Sequence, residues 1–342
     1  MMMAMNKFKV AVLDDFEKLA DTVPAYEKLK ARADVTILRK RLDSSENIVT
    51  VLRDFDAILL MRERTFFSDK EYAQLPNLKL ISQTGRTSKH LDLPNATRRG
   101  IAVTGTAAEN GMSTTELTVA LILALLRKIP QVNLRMREEA WPAIAGNSLE
   151  GKTIGVFGFG RIGSEVARVM KAFPNTRVLG YSRSLTAERA AEVGAECVPS
   201  ETLWRESDIL TVHINSNAQT RGSIGEKEFA MMKRGVLLVN TARGPIVSEP
   251  AMIKALESGQ LGGVGLDVYD VEPLPMDHPL RRFDNAILMS HRGYATVEVM
   301  SERYEQAMNN ILDYLDGKPL NLINPDVPVR REGNAFPASK SE

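Results

Sequence analysis

From residue 7 the chain alternates short apolar runs with longer amphipathic stretches. FKVAVLD (8–14), VTILR (35–39), AILLM (57–61), LKLIS (78–82) and IAVTG (101–105) are close to continuously apolar rather than alternating. That is the pattern of strands covered by helices on both faces, as in a parallel sheet. Helix-like segments lie between them, such as 16–30. A longer one follows over 113–141, where Ser113 is expected to cap the start, Glu116 to close a capping box and Pro130 to kink or divide the helix. After a turn-rich passage at 146–152 a second series begins: TIGVF (153–157), TRVLGY (176–181), ILTVHI (209–214), GVLLVN (235–240), GGVGLDV (262–268) and NAILMS (285–290). A last amphipathic helix spans 296–317, and the polar segment 331–342 has no periodicity and reads as a disordered tail. The pattern predicts an α/β fold built from two series of about five and six strands.

Length supports the same division, since 342 residues exceed what one core usually organises. Apolar and charged fractions of 44% and 25% are those of an ordinary globular protein. A formal net charge of +1 supplies no global field for nucleic acid or an anionic membrane, so neither is expected as a partner. With Cys197 as the one cysteine, an intramolecular disulfide is excluded and no metal site is expected, which fits a reducing cytoplasm. The apolar stretch at 117–126 is about half the length of a membrane span.

The run TIGVFGFGRIG places Gly158, Gly160 and Gly163 in G-x-G-x-x-G spacing, after a strand and at the start of a helix with apolar residues at 162, 166, 169 and 170. In that context the first glycine permits a tight turn, the second a close approach of backbone to a pyrophosphate, and the third close helix–strand packing. Arg161 and Ile162, between the glycines, open the helix whose N-terminus faces the phosphates. The next strand ends in Ser182, Arg183 and Ser184, with no carboxylate to hold an adenosine ribose 2′-hydroxyl. A cation and two hydroxyls there favour NADP(H), with NAD(H) as the alternative if Arg183 is only a solvated side chain.

Ligands in such sheets bind beyond the carboxyl ends of the strands. In the second series these ends deliver Arg243, then Asp267 and Glu272, then His291. With its flanks GKTIGVFGFGRIG, MMKRGVLLVNTARGPIVSEP and LMSHRGYAT, this set resembles the D-isomer-specific 2-hydroxyacid dehydrogenases.

The resemblance implies an NAD(P)-dependent oxidoreductase that interconverts a 2-oxo acid and a D-2-hydroxy acid. It implies His291 as general acid and base, Glu272 holding its ring, and Arg243 binding the substrate carboxylate and oxo group. Asp267 would lie near the nicotinamide, and His213, Asn215, Thr220, Thr241, Ala242 and Gly293 would line the cofactor. Glu272, rather than glutamine, disfavours formate as substrate. The family's split architecture implies a flavodoxin-like substrate domain at 1–105 plus 297–330, a Rossmann cofactor domain at 106–296, and a homodimer supported by the long helix.

Departures from the family pattern bear on the substrate. Ser290 and Arg292 flank His291 where a proline and a small or apolar residue are usual, and Asn215 replaces a common proline. The loop SQTGRTSKHLD, with Thr84, Gly85 and Arg86, departs from the family's usual carboxylate-binding loop. Arg62, Arg64, Arg86 and Arg292 could serve a second anionic group on the substrate, or could pair with acidic residues or point to solvent. His278 reads as surface loop, His213 as structural or beside the cofactor, and His90 as undecided. A non-catalytic, dinucleotide-sensing corepressor of the same fold is the alternative function.

Overall fold

The computed structural model describes residues 7–85, 88–107, 111–138 and 141–329. Two compact units emerge, residues 1–109 with 296–342, and residues 110–295. The expected tail at 331–342 lies outside the described residues.

In the first unit β1 (Phe8–Val12), β2 (Ala33–Ile37), β3 (Ala57–Leu60), β4 (Leu80–Gln83) and β5 (Ala102–Thr104) form a parallel sheet in the order β2-β1-β3-β4-β5. This is the flavodoxin-like order. β1 stops short of the expected residue 14 because Asp14 turns into the left-handed region (φ 59°). Asp15 then accepts hydrogen bonds from the N–H groups of Leu19 (2.9 Å) and Ala20 (3.2 Å). That turn displaces the helix expected over 16–30, which begins instead at Pro24 and runs to Arg32. Proline suits the first helical position, where its missing N–H costs nothing. The C-terminal helix Val297–Leu315 packs on this unit, where the Ser82 hydroxyl donates to its Ala307 carbonyl (2.8 Å). Thr296 caps it by accepting from the Val299 N–H (3.3 Å).

In the second unit β6 (Thr153–Phe157), β7 (Arg177–Tyr181), β8 (Glu196–Cys197), β9 (Ile209–Val212), β10 (Val236–Asn240), β11 (Leu261–Leu266) and β12 (Ala286–Leu288) order as β12-β11-β10-β9-β6-β7-β8. All pair in parallel, which is the doubly wound dinucleotide-binding order with its reversal between β6 and β9. Neighbours such as Ile209 and Leu210, or Val239 and Leu238, enter separate cores on opposite faces. That is why these strands read as unbroken apolar runs. β8, two residues long and exposed, left no such run and was not expected.

The long helix begins at Met112 rather than at 113, capped by Gly111 at φ 82°. Ser113 is buried inside the first turn and its hydroxyl has no hydrogen-bond partner among the described residues, so neither it nor Glu116 caps the helix. The segment divides as Pro130 requires: one helix ends at Arg127, Lys128 turns left-handed (φ 51°), and a second runs Ile129–Glu138 at a bend of 59°. Lacking an N–H, Pro130 cannot satisfy the Leu126 carbonyl, which accepts from the Asn147 N–H instead (2.7 Å). Among the described residues no single helix is long and apolar enough to cross a membrane.

Candidate active site

The glycine loop follows β6, beside the sheet's order reversal. Gly158 sits at φ 103°, and a Cβ there would lie 2.5 Å from the His213 carbonyl carbon. A Cβ on Gly163 would lie 2.0 Å from the Gly158 oxygen. Both positions therefore enforce packing within the protein. Gly160 differs, because a Cβ there would meet nothing within 4 Å. It precedes the helix Arg161–Lys171, whose N-terminus has no side-chain cap. An N-terminus without a side-chain cap, the positive end of a helix and open space at one glycine fit a dinucleotide pyrophosphate. Ile162 contributes by packing, since its Cγ1 lies 2.9 Å from where a Gly111 Cβ would be, and Arg161 flanks the same glycine.

These roles separate experimentally. Gly160→Ala should leave the thermal midpoint within about 1 °C, because its backbone (φ −84°) suits alanine. Dinucleotide affinity in calorimetry should fall about tenfold or more. Gly163→Ala should instead lower the midpoint by several degrees, since overpacking costs roughly 1–3 kcal/mol. Equal loss of affinity and stability in both variants would reject the distinction.

At the end of β7, Ser182, Arg183 and Ser184 are partly to fully exposed, and Arg183 Nη1 donates to Gln219 Oε1 (2.7 Å). Beyond β9, the Thr220 hydroxyl donates to the Asn215 carbonyl (2.6 Å) and accepts from the Asn217 N–H (2.8 Å). Thr220 and Asn215 thus shape the loop through those bonds. His213 joins Thr211 Oγ1 through Nε2 (2.9 Å). The protein packed round its ring pushes its pKa down to about 3, so the imidazole is neutral.

β10 ends in Asn240, whose Oδ1 accepts from the Ala242 N–H and whose Nδ2 donates to the Arg243 carbonyl, each at 3.0 Å. Thr241 pairs with Thr118 hydroxyl to hydroxyl at 2.9 Å. The Arg243 side chain is thereby presented on a braced turn and is exposed, with one N–H on the Ala242 carbonyl (2.6 Å). β11 leads into Asp267, 1% exposed. Its carbonyl accepts from the His291 N–H (2.8 Å), while its carboxylate accepts from the N–H groups of Arg292 (2.6 Å) and Gly293 (2.8 Å). Burial pushes the Asp267 carboxyl above its ordinary range, opposed by those two N–H groups and by His291. The clamp holds His291 in the left-handed region at φ 56°. Gly293 fits closely, because a Cβ would come within 3.1 Å of Asp267 Oδ2 and 3.3 Å of Thr114 Oγ1.

Glu272 Oε2 meets His291 Nδ1 at 2.7 Å, and its Oε1 accepts from the Tyr269 N–H (3.0 Å). Burial pushes Glu272 up, but the His291 hydrogen bond and charge, the Tyr269 N–H and the nearby Arg243 together hold it below the usual carboxylate range. Ionised, Glu272 accepts from Nδ1–H, which leaves Nε2 as the nitrogen turned to other partners. Arg243, Asp267, Glu272 and His291 therefore gather at one edge of one unit, as their strand-end positions imply.

The sequence did not single out Tyr269 or Asn240. Tyr269 orients Glu272 and anchors its own hydroxyl on the Met289 carbonyl (2.7 Å). Asn240 was legible as a polar residue ending an apolar run. Asp267, expected near the nicotinamide, spends both carboxylate oxygens on the loop that carries His291. His278, in a loop as expected, meets Glu249 Oε1 through Nε2 at 2.9 Å and accepts at Nδ1 from the Leu280 N–H (3.3 Å).

In the other unit Arg62, Thr84 and Gly85 come together, with Arg62 Nη1 2.9 Å from where a Gly85 Cβ would be. The Thr84 N–H donates to the Leu60 carbonyl (2.9 Å) and the Gly85 N–H to Thr106 Oγ1 (2.7 Å). These two amides are committed to the fold rather than open to a carboxylate. Arg64 is likewise committed, bidentate to Glu17 at 2.7 and 3.0 Å and bonded to the Asp14 carbonyl (2.7 Å). Arg86 lies outside the described residues. His90 is 2% exposed, neither ring nitrogen has a hydrogen-bond partner among the described residues, and burial pushes its pKa down to about 4.

Residues 119–293 match the model of the D-isomer specific 2-hydroxyacid dehydrogenase NAD binding domain. The chain is similar to a glyoxylate reductase of Aeropyrum pernix, 38% identical over 299 residues that cover 84% of this chain and 89% of that one. It is 34% identical over 320 residues to the D-3-phosphoglycerate dehydrogenase of Rattus norvegicus, covering 93% of this chain and 58% of that longer protein. Among solved structures, a phosphoglycerate oxidoreductase of Vibrio cholerae superposes with a TM-score of 0.83 at 29% identity, covering 91% of this chain and 99% of that one.

Proposed function

This chain belongs to the D-isomer specific 2-hydroxyacid dehydrogenase family, and from that premise we propose that it reduces a small 2-oxo acid of the glyoxylate or hydroxypyruvate class with NADPH, His291 donating the proton. It is an oxidoreductase of 2-hydroxy acids that uses a nicotinamide dinucleotide. The observation that carries the finer reading is the 2.7 Å contact between His291 Nδ1 and Glu272 Oε2 beside Arg243.

When bound, the dinucleotide supplies a hydride to C2 of the oxo acid. Glu272 fixes the imidazole by accepting from Nδ1–H, so that Nε2 gives its proton to the oxo oxygen as negative charge develops there. Arg243 has most of its guanidinium fork free to hold the carboxylate and oxo group in one plane. Asp267 holds the His291 loop.

A substrate with a single anionic group is favoured because Arg64 is spent on Glu17. A phosphorylated 2-oxo acid is the second reading, favoured by the Arg62 guanidinium against Gly85. Steady-state assays at 340 nm with glyoxylate, hydroxypyruvate, oxaloacetate, 2-oxoglutarate and phosphohydroxypyruvate separate the two. The highest kcat/KM is expected for glyoxylate or hydroxypyruvate, and with NADPH rather than NADH. Phosphohydroxypyruvate in first place would install the second reading, and no turnover with any acid would overturn both.

A further inference from the structure

We propose that Gln219 is a specificity-determining residue that positions Arg183 for the 2′-phosphate of NADP(H). The inference rests on the NADPH preference proposed above and extends it to a residue on a different loop.

Arg183 follows β7 and Gln219 follows β9, and in the sheet β6 lies between those two strands. Their 2.7 Å hydrogen bond therefore spans the end of β6, where the glycine loop begins. A dinucleotide laid with its pyrophosphate on that loop has its adenosine ribose toward β7. The bridge stands at that end of the groove.

Two properties of Gln219 suit it to this place. First, its loop is locked: Asn217 Oδ1 accepts from the N–H groups of Gln219 (2.8 Å) and Thr220 (3.1 Å), and the Asn217 N–H donates back to Thr220 Oγ1 (2.8 Å). The backbone that carries the amide is thus braced. Second, it is neutral. A guanidinium has five N–H donors, and Gln219 occupies one, leaving four for phosphate oxygens. No carboxylate pairs with Arg183 among the described residues, so its charge stays undiminished. A glutamate at 219 would also hold the guanidinium, but would cancel its charge and repel a dianionic phosphate. Glutamine fixes the geometry without neutralising the charge.

Calorimetric titration of wild type, Arg183→Ala, Gln219→Ala and Gln219→Glu with NADP, NAD and 2′,5′-ADP tests this without turnover. Gln219→Ala should weaken NADP and 2′,5′-ADP about fivefold, the worth of one lost hydrogen bond. Gln219→Glu should weaken both by about thirtyfold or more, since it adds a repelling charge. NAD should change less than about twofold in either variant. Residue 219 is exposed, so unchanged thermal midpoints should show that the fold persists. If wild type prefers NADP and Arg183→Ala abolishes the preference, yet both Gln219 variants keep it, the role of Gln219 is refuted and the NADPH reading stands. If wild type binds NAD as tightly as NADP, both fall together.

Discussion

Replacing His291 with asparagine is expected to lower kcat on the order of a thousandfold while dinucleotide affinity and fold persist. Asparagine is the substitution of choice because residue 291 sits at φ 56°, a region asparagine tolerates better than alanine or glutamine. The side chain is about a third exposed, so its loss opens no buried cavity. Asparagine cannot give up a proton near neutral pH, and the effect should therefore fall on kcat rather than on cofactor binding. A loss smaller than tenfold under saturating conditions would remove His291 from the role of donor.

Glu272→Gln refines the same result. The charged acceptor that fixes the imidazole through Nδ1–H is lost, so kcat should fall about tenfold or more while KM changes less. Glu272 also bears on stability with a definite sign. Its folded-state pKa is depressed, so its contribution is present above the unfolded value and is lost as pH falls through the folded one. The difference in stability between wild type and Glu272→Gln should therefore shrink on acidification, as chemical denaturation would reveal.

The second large effect is expected at a residue that need not touch the substrate. Asp267→Ala strands the N–H groups of Arg292 and Gly293, which the carboxylate now accepts at 2.6 and 2.8 Å. Hydrogen bonds to a charged acceptor contribute about 1.5–3 kcal/mol each, so a loss of at least about 3 kcal/mol of stability is expected. Without the carboxylate the loop loses two of the bonds that hold His291 in the left-handed conformation and keeps the one from its N–H to the residue 267 carbonyl. Catalysis should fall about a hundredfold beyond the loss of folded protein, because misplaced catalytic groups are costly. Asp267→Asn retains one oxygen as acceptor and should fall between wild type and alanine in both respects. Wild-type kcat per folded molecule in Asp267→Ala would show that the loop holds His291 unaided.

Much of this site could be read from the chain because parallel strands deliver their C-terminal ends to one edge. Arg243, Asp267 and His291 needed only the strand ends of their apolar runs to be grouped, and the three glycines their spacing between a strand and a helix. What escaped depends on choosing a partner far along the chain. Nothing local says that the Asp267 carboxylate spends itself 25 residues later, or that Arg64 is claimed by Glu17 47 residues earlier. The Phe16 segment looked helical by composition, yet Asp15 capturing two N–H groups made it a turn. Ser113 looked like a cap, yet Gly111 could reach a conformation that starts the helix sooner. In each case a local preference lost to a tertiary one.

The hydrogen bond from the Asn147 N–H to the Leu126 carbonyl has a wider meaning for how this chain can change. It joins residues 126 and 147, so the chain before and after the helix Ile129–Glu138 is held together at one point of the nucleotide-binding unit. Between those two residues, length is decoupled from the register of the sheet. A lineage could lengthen, shorten or restyle this segment without resetting β6 or the glycine loop that follows it.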